Sequence, residues 1–429
     1  MQTKTKPKPK TIRRDAQKMI ENIIADNMPR TAVENALRGH KFSAGHPGAG
    51  NIYMIAVGKA AWTMAQAASD FLGDKLQKGI VVTKYEHSQG TLPHIDIYES
   101  GHPVSDENTI LATQKCIELA ESLTEADELL FLVSGGGSAL FEKPLPGISL
   151  KDIQDITGQF LASGADIVEI NMVRKRLSAV KAGRFAKLAA PAKVFSIILS
   201  DVLGDRLDSI ASGPAVPDHS TLEDALKVAG KYNIKLTDLQ RNYLMKETPK
   251  EINNAETVIT GSVRTLCRSA AATAKALGYE PFVLTATMNC EAGEAGRMLA
   301  CIAADAQNGL NAFPKPCAVI AGGETVVTLK GNGKGGRNQE LALSAAKGIA
   351  GLDNTLIFSL GSDGTDGPTD AAGGIVDGLS LDKLKEQGLD IDKILAGNDA
   401  YHGLKAIDGL IVTGPTGTNV NDVAVVLCR

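Results

Sequence analysis

Asn51-Ile52-Tyr53-Met54-Ile55-Ala56-Val57-Gly58-Lys59 is the stretch whose reading decides the fold. No charge interrupts it before Lys59, and it is too short for a buried helix, so it suits a strand covered on both faces. Gly58 closes the run, and a helix is expected from Lys59 to about Leu72. A buried strand handed to a helix through a glycine opens a βαβ unit. The same alternation continues outward. Strands are expected at Gly79–Lys84, Ile95–Glu99, Glu128–Val133 and Val194–Ser200, with helices at 106–123, 149–163 and 167–190 between them. Residues 12–39 read as two helices wrapping the start of this domain. Strands alternating with helices of this length predict a parallel sheet with crossover helices.

The segment 221–254 turns polar and helical, and Lys246–Asn254 is the best linker, which predicts domains at 1–245 and 246–429. A second α/β series follows. Its strands are expected at Thr257–Thr260, Pro281–Thr285, Cys317–Ala321, Thr325–Lys330, Thr355–Leu360 and Asp422–Leu427. Its helices are expected at 262–277, 291–308 and 338–349.

Bulk properties exclude several classes. Net charge is −4 and the sequence pI is about 6.0, so nothing at this level calls for nucleic acid or an anionic membrane. Aromatics make up 4% with Trp62 the single tryptophan, which is thin for base stacking. The six cysteines form no CxxC pair, against a zinc site or disulfide framework and in keeping with a reducing compartment. No apolar run reaches the roughly 18–20 residues of a membrane span. Residues 1–14 are basic and interrupted by prolines and are expected to form a disordered tail.

Four glycine-rich or charged loops follow expected strands, where open α/β sheets bind ligands. Lys59 is expected in the first turn of its helix, where the macrodipole disfavours a cation unless an anion binds beside it. Ser134-Gly135-Gly136-Gly137-Ser138 can turn backbone amides toward phosphate or carboxylate. It lacks the Walker A spacing, and a purely structural glycine turn is the alternative. Asn171–Lys187 carries six positive charges, and no acid lies between Asn171 and Ala192. A solvated helix face competes there with anion binding by Arg174 or Lys181, which are seven residues apart. The fourth region joins Gly322-Gly323-Glu324 to Gly331-Asn332-Gly333-Lys334-Gly335-Gly336-Arg337-Asn338. GNGKGG formally fits GxGxxG, but the acid expected about 20 residues on is misplaced, since Asp353 precedes its strand and Asp363 comes too late. Lys334 and Arg337 suit phosphate better, because a guanidinium can bind two oxygens at once. Asp201, Asp363 and Asp366 lie on strand-end loops, where carboxylates can hold Mg²⁺ or take a proton from an alcohol; turn and capping roles are the plain alternative. The histidines show no metal-ligand spacing and are given no role. These parts describe a phosphate-handling α/β enzyme.

VGKAAWTMA (57–65), SGGGSAL (134–140), NMVRKRLSAVKAGR (171–184), LSDVLGDRLDSIASGPAVPD (199–218), GGETVVTL (322–329), GGRNQELAL (335–343), SDGTDGPTDAAGG (362–374) and GPTGTNVNDVAVVL (414–427) together resemble the type II glycerate kinases, or glycerate 2-kinases. The resemblance runs from about residue 50 to 427. It implies an α/β protein of two domains: an N-terminal Rossmann-like parallel sheet and a C-terminal α/β domain, with a MOFRL region at about 316–427 and an active site in the interdomain cleft. It implies ATP-dependent phosphorylation of D-glycerate at the 2-hydroxyl, giving 2-phosphoglycerate, with Mg²⁺ or another divalent cation. The family's active-site lysine and arginine fall on Lys59 and Arg337. On this reading Ser134–Ser138, Arg174, Glu324, Lys334 and Asn338 contact substrate or phosphate. Asp201 or Asp363 serves as base, and Asp201, Asp363 and Asp366 are the metal candidates. The expected setting is the cytoplasm, without nucleic-acid or membrane partners; a homodimer is compatible. The rival readings are an NAD(P)-dependent hydroxypyruvate reductase, a kinase for a related small sugar acid, and a non-catalytic sugar-acid or nucleotide sensor.

Overall fold

A computed structural model describes residues 9–42, 50–310 and 312–429. The chain divides into two compact units, Ala32–Thr260 and, with the described residues through Thr31, Gly261–Arg429.

The first unit is built on β1 (Ile52–Val57), β2 (Leu76–Lys84), β3 (Ile95–Ser100), β4 (Glu128–Val133), β5 (Lys193–Leu199) and β6 (Ala255–Gly261). They lie in the order β3-β2-β1-β4-β5-β6, and the β1/β2, β1/β4, β2/β3 and β4/β5 pairs are parallel. This is the doubly wound arrangement, whose order reverses between β1 and β4 and so opens a crevice at their C-terminal ends. Ile55, Val57, Leu129, Phe131 and Val133 are buried along these two central strands, which explains their uninterrupted apolar sequences. Burying each such side chain contributes about 1.5–3 kcal/mol. β6 lies beyond the expected boundary at 245/246 because it completes this sheet, with the Val194 amide donating to the Asn254 carbonyl. The expected helix 167–190 is broken. Ile167–Arg174 tightens into a 3₁₀ turn at Lys175–Leu177, and Ala182 and Gly183 take φ of 55° and 76°, before Arg184–Leu188 turns helical again.

The second unit holds β7 (Glu280–Met288), β8 (Cys317–Gly323), β9 (Thr355–Gly361), β10 (Gly373–Asp377), β11 (Leu410–Ile411) and β12 (Asp422–Cys428), ordered β11-β10-β9-β12-β8-β7. The sheet is mixed: β12 runs antiparallel to both β8 and β9. Both edges of β8 are taken, by β12 and β7, so residues 325–330 do not form the expected strand and make only an isolated bridge from Val326 to Glu291. Since β12 runs against its neighbours, Asp422 at its start pairs with Gly323 and Gly361 at their ends. That inversion delivers a carboxylate to the edge where β8 and β9 hand over to loops.

The N-terminal helix Pro9–Asp26 belongs to this second unit, not to the start of the first. Its apolar stripe of Ile12, Ala16, Met19, Ile20 and Ile23 is buried. Arg13 Nε donates to Asp377 Oδ2 at 2.6 Å, and Tyr279 donates to Asp15 at 2.9 Å. The expected tail is thus helical from Pro9 onward, proline being well tolerated at a first helical position. Residues 1–8 of that expectation lie outside the described residues.

Candidate active site

The reversal between β1 and β4 brings two loops together. Ser134 donates its amide to the Val57 carbonyl at 2.9 Å and accepts the Ala60 amide on Oγ at 3.0 Å. The Lys59 amide donates to the Gly135 carbonyl at 2.9 Å. Gly58 has φ of 118°, and a Cβ there would overlap Ser134, so only glycine permits the approach. Ser134 is therefore buried in the joint between the loops, a structural tie instead of the substrate contact expected of it. Lys59 stands one residue before the Ala60 cap of helix Ala61–Leu72, slightly ahead of the first turn where it was expected.

Gly136 has φ of 83°, and a Cβ on it would press on the His102 ring at 2.9 Å and on Lys59 Cγ at 3.3 Å. The lysine stem and the imidazole thus lie against the bare loop. Burial, then the charges of Lys59 and Lys84, pushes His102 down to about 4, so the ring is neutral at pH 7. The Lys59 carbonyl accepts from Thr83 Oγ1 and lies 3.2 Å from His87 Nδ1, so its backbone is held at both ends. Among the described residues its ammonium has no carboxylate partner. The amides of Gly135 and Gly136 likewise have no acceptor there, and Asp201 lies over Gly135, where any side chain would overlap its carboxylate. Cation, free amides and acid converge on one loop. His102, overlooked in the sequence, obeys the same strand-end rule just after β3.

The basic segment 171–187 supports this loop from beneath. Lys181 is fully buried, and its ammonium donates to the carbonyls of Ser138 at 2.9 Å, Phe141 at 3.0 Å and Ala211 at 3.5 Å, with Glu142 Oε2 at 3.7 Å. Desolvation pushes it down to about 8. Lys175 and Arg176 are buried too, paired with Asp208, Asp218 and Glu247 from distant parts of the chain. The run is thus mostly an internal scaffold and not a solvated face, and the break in the helix means that Arg174 and Lys181, though seven residues apart, do not share one helical face. Arg174, half-buried, keeps a buried Nε without a hydrogen-bond partner. Ser138 Oγ lies 3.2 Å from Ser212 Oγ, in a segment where Ala211 and Ser212 take φ of 49° and 62°. Such strain persists only where the surroundings enforce it. Lys181→Met is expected to destabilise the fold by about 3–5 kcal/mol, because Glu142 would be left buried and unpaired. Denaturant unfolding measures this, and adding Glu142→Gln should recover part of the loss.

In the second unit Arg337, the first residue of helix Arg337–Ala345, binds Asp422 with Nε at 2.6 Å and Nη2 at 3.1 Å, and reaches Glu324 with Nη1 at 2.8 Å. Burial pushes the Asp422 carboxyl up to about 6 against the pull of Arg337, so it is ionised at neutral pH. Asp422 is the second residue that the sequence reading missed; its one signal is an acid opening a wholly apolar strand. A Cβ on Gly361 would be 3.3 Å from both Asp363 Oδ1 and Asp422 Oδ1, so the two acids flank the same glycine. Asp363 also accepts the Thr365 amide at 3.0 Å.

Asp366 is not placed to bind a metal. It is buried, and its carboxylate accepts the amides of Asn338 and Gln339 and both their side chains, which caps helix Arg337–Ala345. Asn338, expected at the substrate, is buried between Asp366 and Ser359. Lys334 lies with its ammonium 4.3 Å from the centre of the Tyr401 ring. The glycines of 331–336 serve close packing: a Cβ on Gly331 or Gly333 would strike the backbone at Gly397 or Asp399. No strand precedes this loop, so the turn that a dinucleotide fingerprint requires is missing.

No group of three acidic, histidine or cysteine side chains among the described residues is disposed to hold a metal alone. That fits Mg²⁺, which is commonly held by one or two carboxylates together with substrate phosphates. Asp201 lies over Gly135, and Asp363 lies beside Gly361.

A doubly wound sheet with a lysine and glycine amides at its switch point, and a second unit presenting an arginine fixed between carboxylates, define a phosphate-handling α/β enzyme. The chain belongs to the type II glycerate kinase (glycerate 2-kinase) family. Residues 15–245 match a family described as a domain of unknown function, DUF4147, and residues 317–422 match the MOFRL family. A D-glycerate 2-kinase of Thermotoga maritima is 50% identical over 97% of this chain and 98% of its own. A glycerate 2-kinase of Pyrococcus horikoshii is 42% identical over 88% and 87%. The crystal structure titled glycerate kinase (EC 2.7.1.31) from Thermotoga maritima superposes with a TM-score of 0.93 at 50% identity, covering 98% of this chain and 100% of that one.

Proposed function

We propose that the chain transfers the γ-phosphoryl group of ATP to the 2-hydroxyl of D-glycerate, giving 2-phosphoglycerate and ADP. The observation that carries the reading is the Lys59 ammonium, without a carboxylate partner among the described residues, beside the Gly135 and Gly136 amides at the β1/β4 reversal, in a chain matching D-glycerate 2-kinase over nearly its full length. Phosphoryl transfer demands positioning and charge neutralisation more than covalent chemistry from the protein. Lys59 and Arg337 neutralise charge on the transferring group, and the Gly135 and Gly136 amides bind oxygens of phosphate or substrate carboxylate. Arg174 is the remaining cation for the substrate carboxylate. As the new O–P bond forms, the hydroxyl proton passes to Asp201 or Asp363. Mg²⁺ bound by the other carboxylate and the nucleotide phosphates would supply further neutralisation. The six cysteines are free thiols, which supports a reducing cytoplasmic setting. Among the described residues no helix is long and apolar enough to cross a membrane.

The test is product analysis by phosphorus NMR with ATP, Mg²⁺ and D-glycerate, beside an NADH-oxidation assay with hydroxypyruvate. Stoichiometric 2-phosphoglycerate and ADP without NADH oxidation are expected. Formation of 3-phosphoglycerate, or hydroxypyruvate-dependent NADH oxidation, would overturn the reading.

A further inference from the structure

A cavity lies in the first unit, lined by none of the residues of the Lys59 loop. It holds 510 Å³, within the size range of small-molecule sites. One wall is the second half of helix Glu107–Glu121, from Gln114 on, about 12 Å down the helix from its cap at Asp106. Helix Arg184–Leu188 and residues 143–146 form the others. The floor is apolar, from Ile117, Leu145, Ala179 and Leu188. Against it stand three cations, Lys143, Arg184 and Lys187, and one acid, Glu121. None of the three cations makes a salt bridge among the described residues. Arg184 is moreover fixed, since Nη1 donates to the carbonyls of Lys175 at 2.6 Å and Ser178 at 2.7 Å. A half-buried guanidinium whose hydrogen bonds go to neutral carbonyls, with Asp218 and Glu142 acting on it only from beyond salt-bridge distance, favours an anion, and the floor favours a hydrocarbon body behind it.

We propose that this cavity binds a small organic monoanion with an apolar body, its carboxylate set against Arg184, Lys143 and Lys187. The walls are pre-formed. The Leu145 amide donates to the Leu177 carbonyl at 2.9 Å and the Ala179 amide to the Lys143 carbonyl at 2.7 Å, joining the 143–146 wall to the segment that carries Ala179. D-glycerate, small and rich in hydroxyls, does not match the floor, so the site is not a second copy of the catalytic one.

Isothermal titration of the full chain with octanoate tests this without ATP or glycerate, so its result is independent of the kinase reading. Saturable 1:1 binding is expected, at least tenfold weaker in the Lys143→Ala/Lys187→Ala variant and abolished by Ala179→Leu, which fills the floor. Octanol should bind at least tenfold more weakly than octanoate. Absence of saturable binding, equal affinity for octanol, or octanoate affinity unchanged in both variants, each with an unaltered thermal melt, would overturn the proposal.

Discussion

Arg337→Ala is expected to lower kcat by roughly 10³-fold or more, the range in which an arginine that stabilises a transferring phosphoryl group is worth its place. The geometry shows how the side chain is prepared. Two of its nitrogens are committed to Asp422, which is buried at the start of β12, while the third meets Glu324, which is 43% exposed. A phosphate oxygen can replace Glu324 without disturbing the Asp422 pair. Arg337→Lys keeps the charge but not the planar fork, so it should recover only part of the loss. Removing Arg337 also strands Asp422, which lowers stability, so the informative variant is Arg337→Ala/Asp422→Asn. Its unfolding midpoint should move back toward the parent while kcat stays low. Recovery of turnover together with stability would show the arginine to be structural only.

The same pair sets a pH dependence. The Asp422 carboxyl titrates at about 6, above the ordinary carboxylate value, with Asp366 adding to the upward push and Asn338 opposing it. Protonated below that pH, it holds Arg337 less firmly, and kcat/KM should fall as pH drops through about 6. The stability contribution has the opposite sign. A carboxyl raised on folding binds protons more readily in the native state, so burying it costs stability that appears as pH rises from the ordinary carboxylate range to about 6. In Asp422→Asn the acid limb near pH 6 should disappear; its persistence there would assign the limb to another group.

How much of this was legible in the sequence depends on the range of the interaction. Local patterns were readable: NIYMIAV became β1 because a continuous apolar run between polar segments has few alternatives, and the loop after it carries Lys59. Interactions closing over long separations were not. Asp422 reaches the end of β8 only because the last strand inserts antiparallel between β8 and β9, and nothing in residues 414–427 encodes that insertion locally. The basic run at 171–187 failed for the same reason, since Glu142, Asp208 and Asp218, which pair with it, lie outside the window in which charge was counted. Asp366 is a third case: a carboxylate on a strand-end loop is equally suited to metal or helix cap, and only the position of Asn338 and Gln339 decides. His102 was within reach, because it follows β3 by the rule that singled out the other loops.

Lys59→Met should reduce kcat by a further order-10³ effect while leaving the fold nearly untouched, within about 0.5 kcal/mol. That separation is what makes it the sharper test. The Lys59 backbone keeps its bonds to Gly135, Thr83 and His87 whatever side chain it carries, and among the described residues the ammonium has no carboxylate to strand. Methionine preserves the stem that lies along Gly136. A change confined to the charge therefore reads out what the charge does. If Lys59 acts on the transferring group, kcat falls and the KM for D-glycerate stays near the parent value. If it only attracts ATP, KM for ATP rises and kcat survives. Lys59→Arg should not restore full activity, because the bulkier guanidinium must fit between His102 and a loop that already excludes a Cβ at Gly136. Near-parental kcat in Lys59→Met, with an unchanged melting curve, would remove the lysine from the reaction.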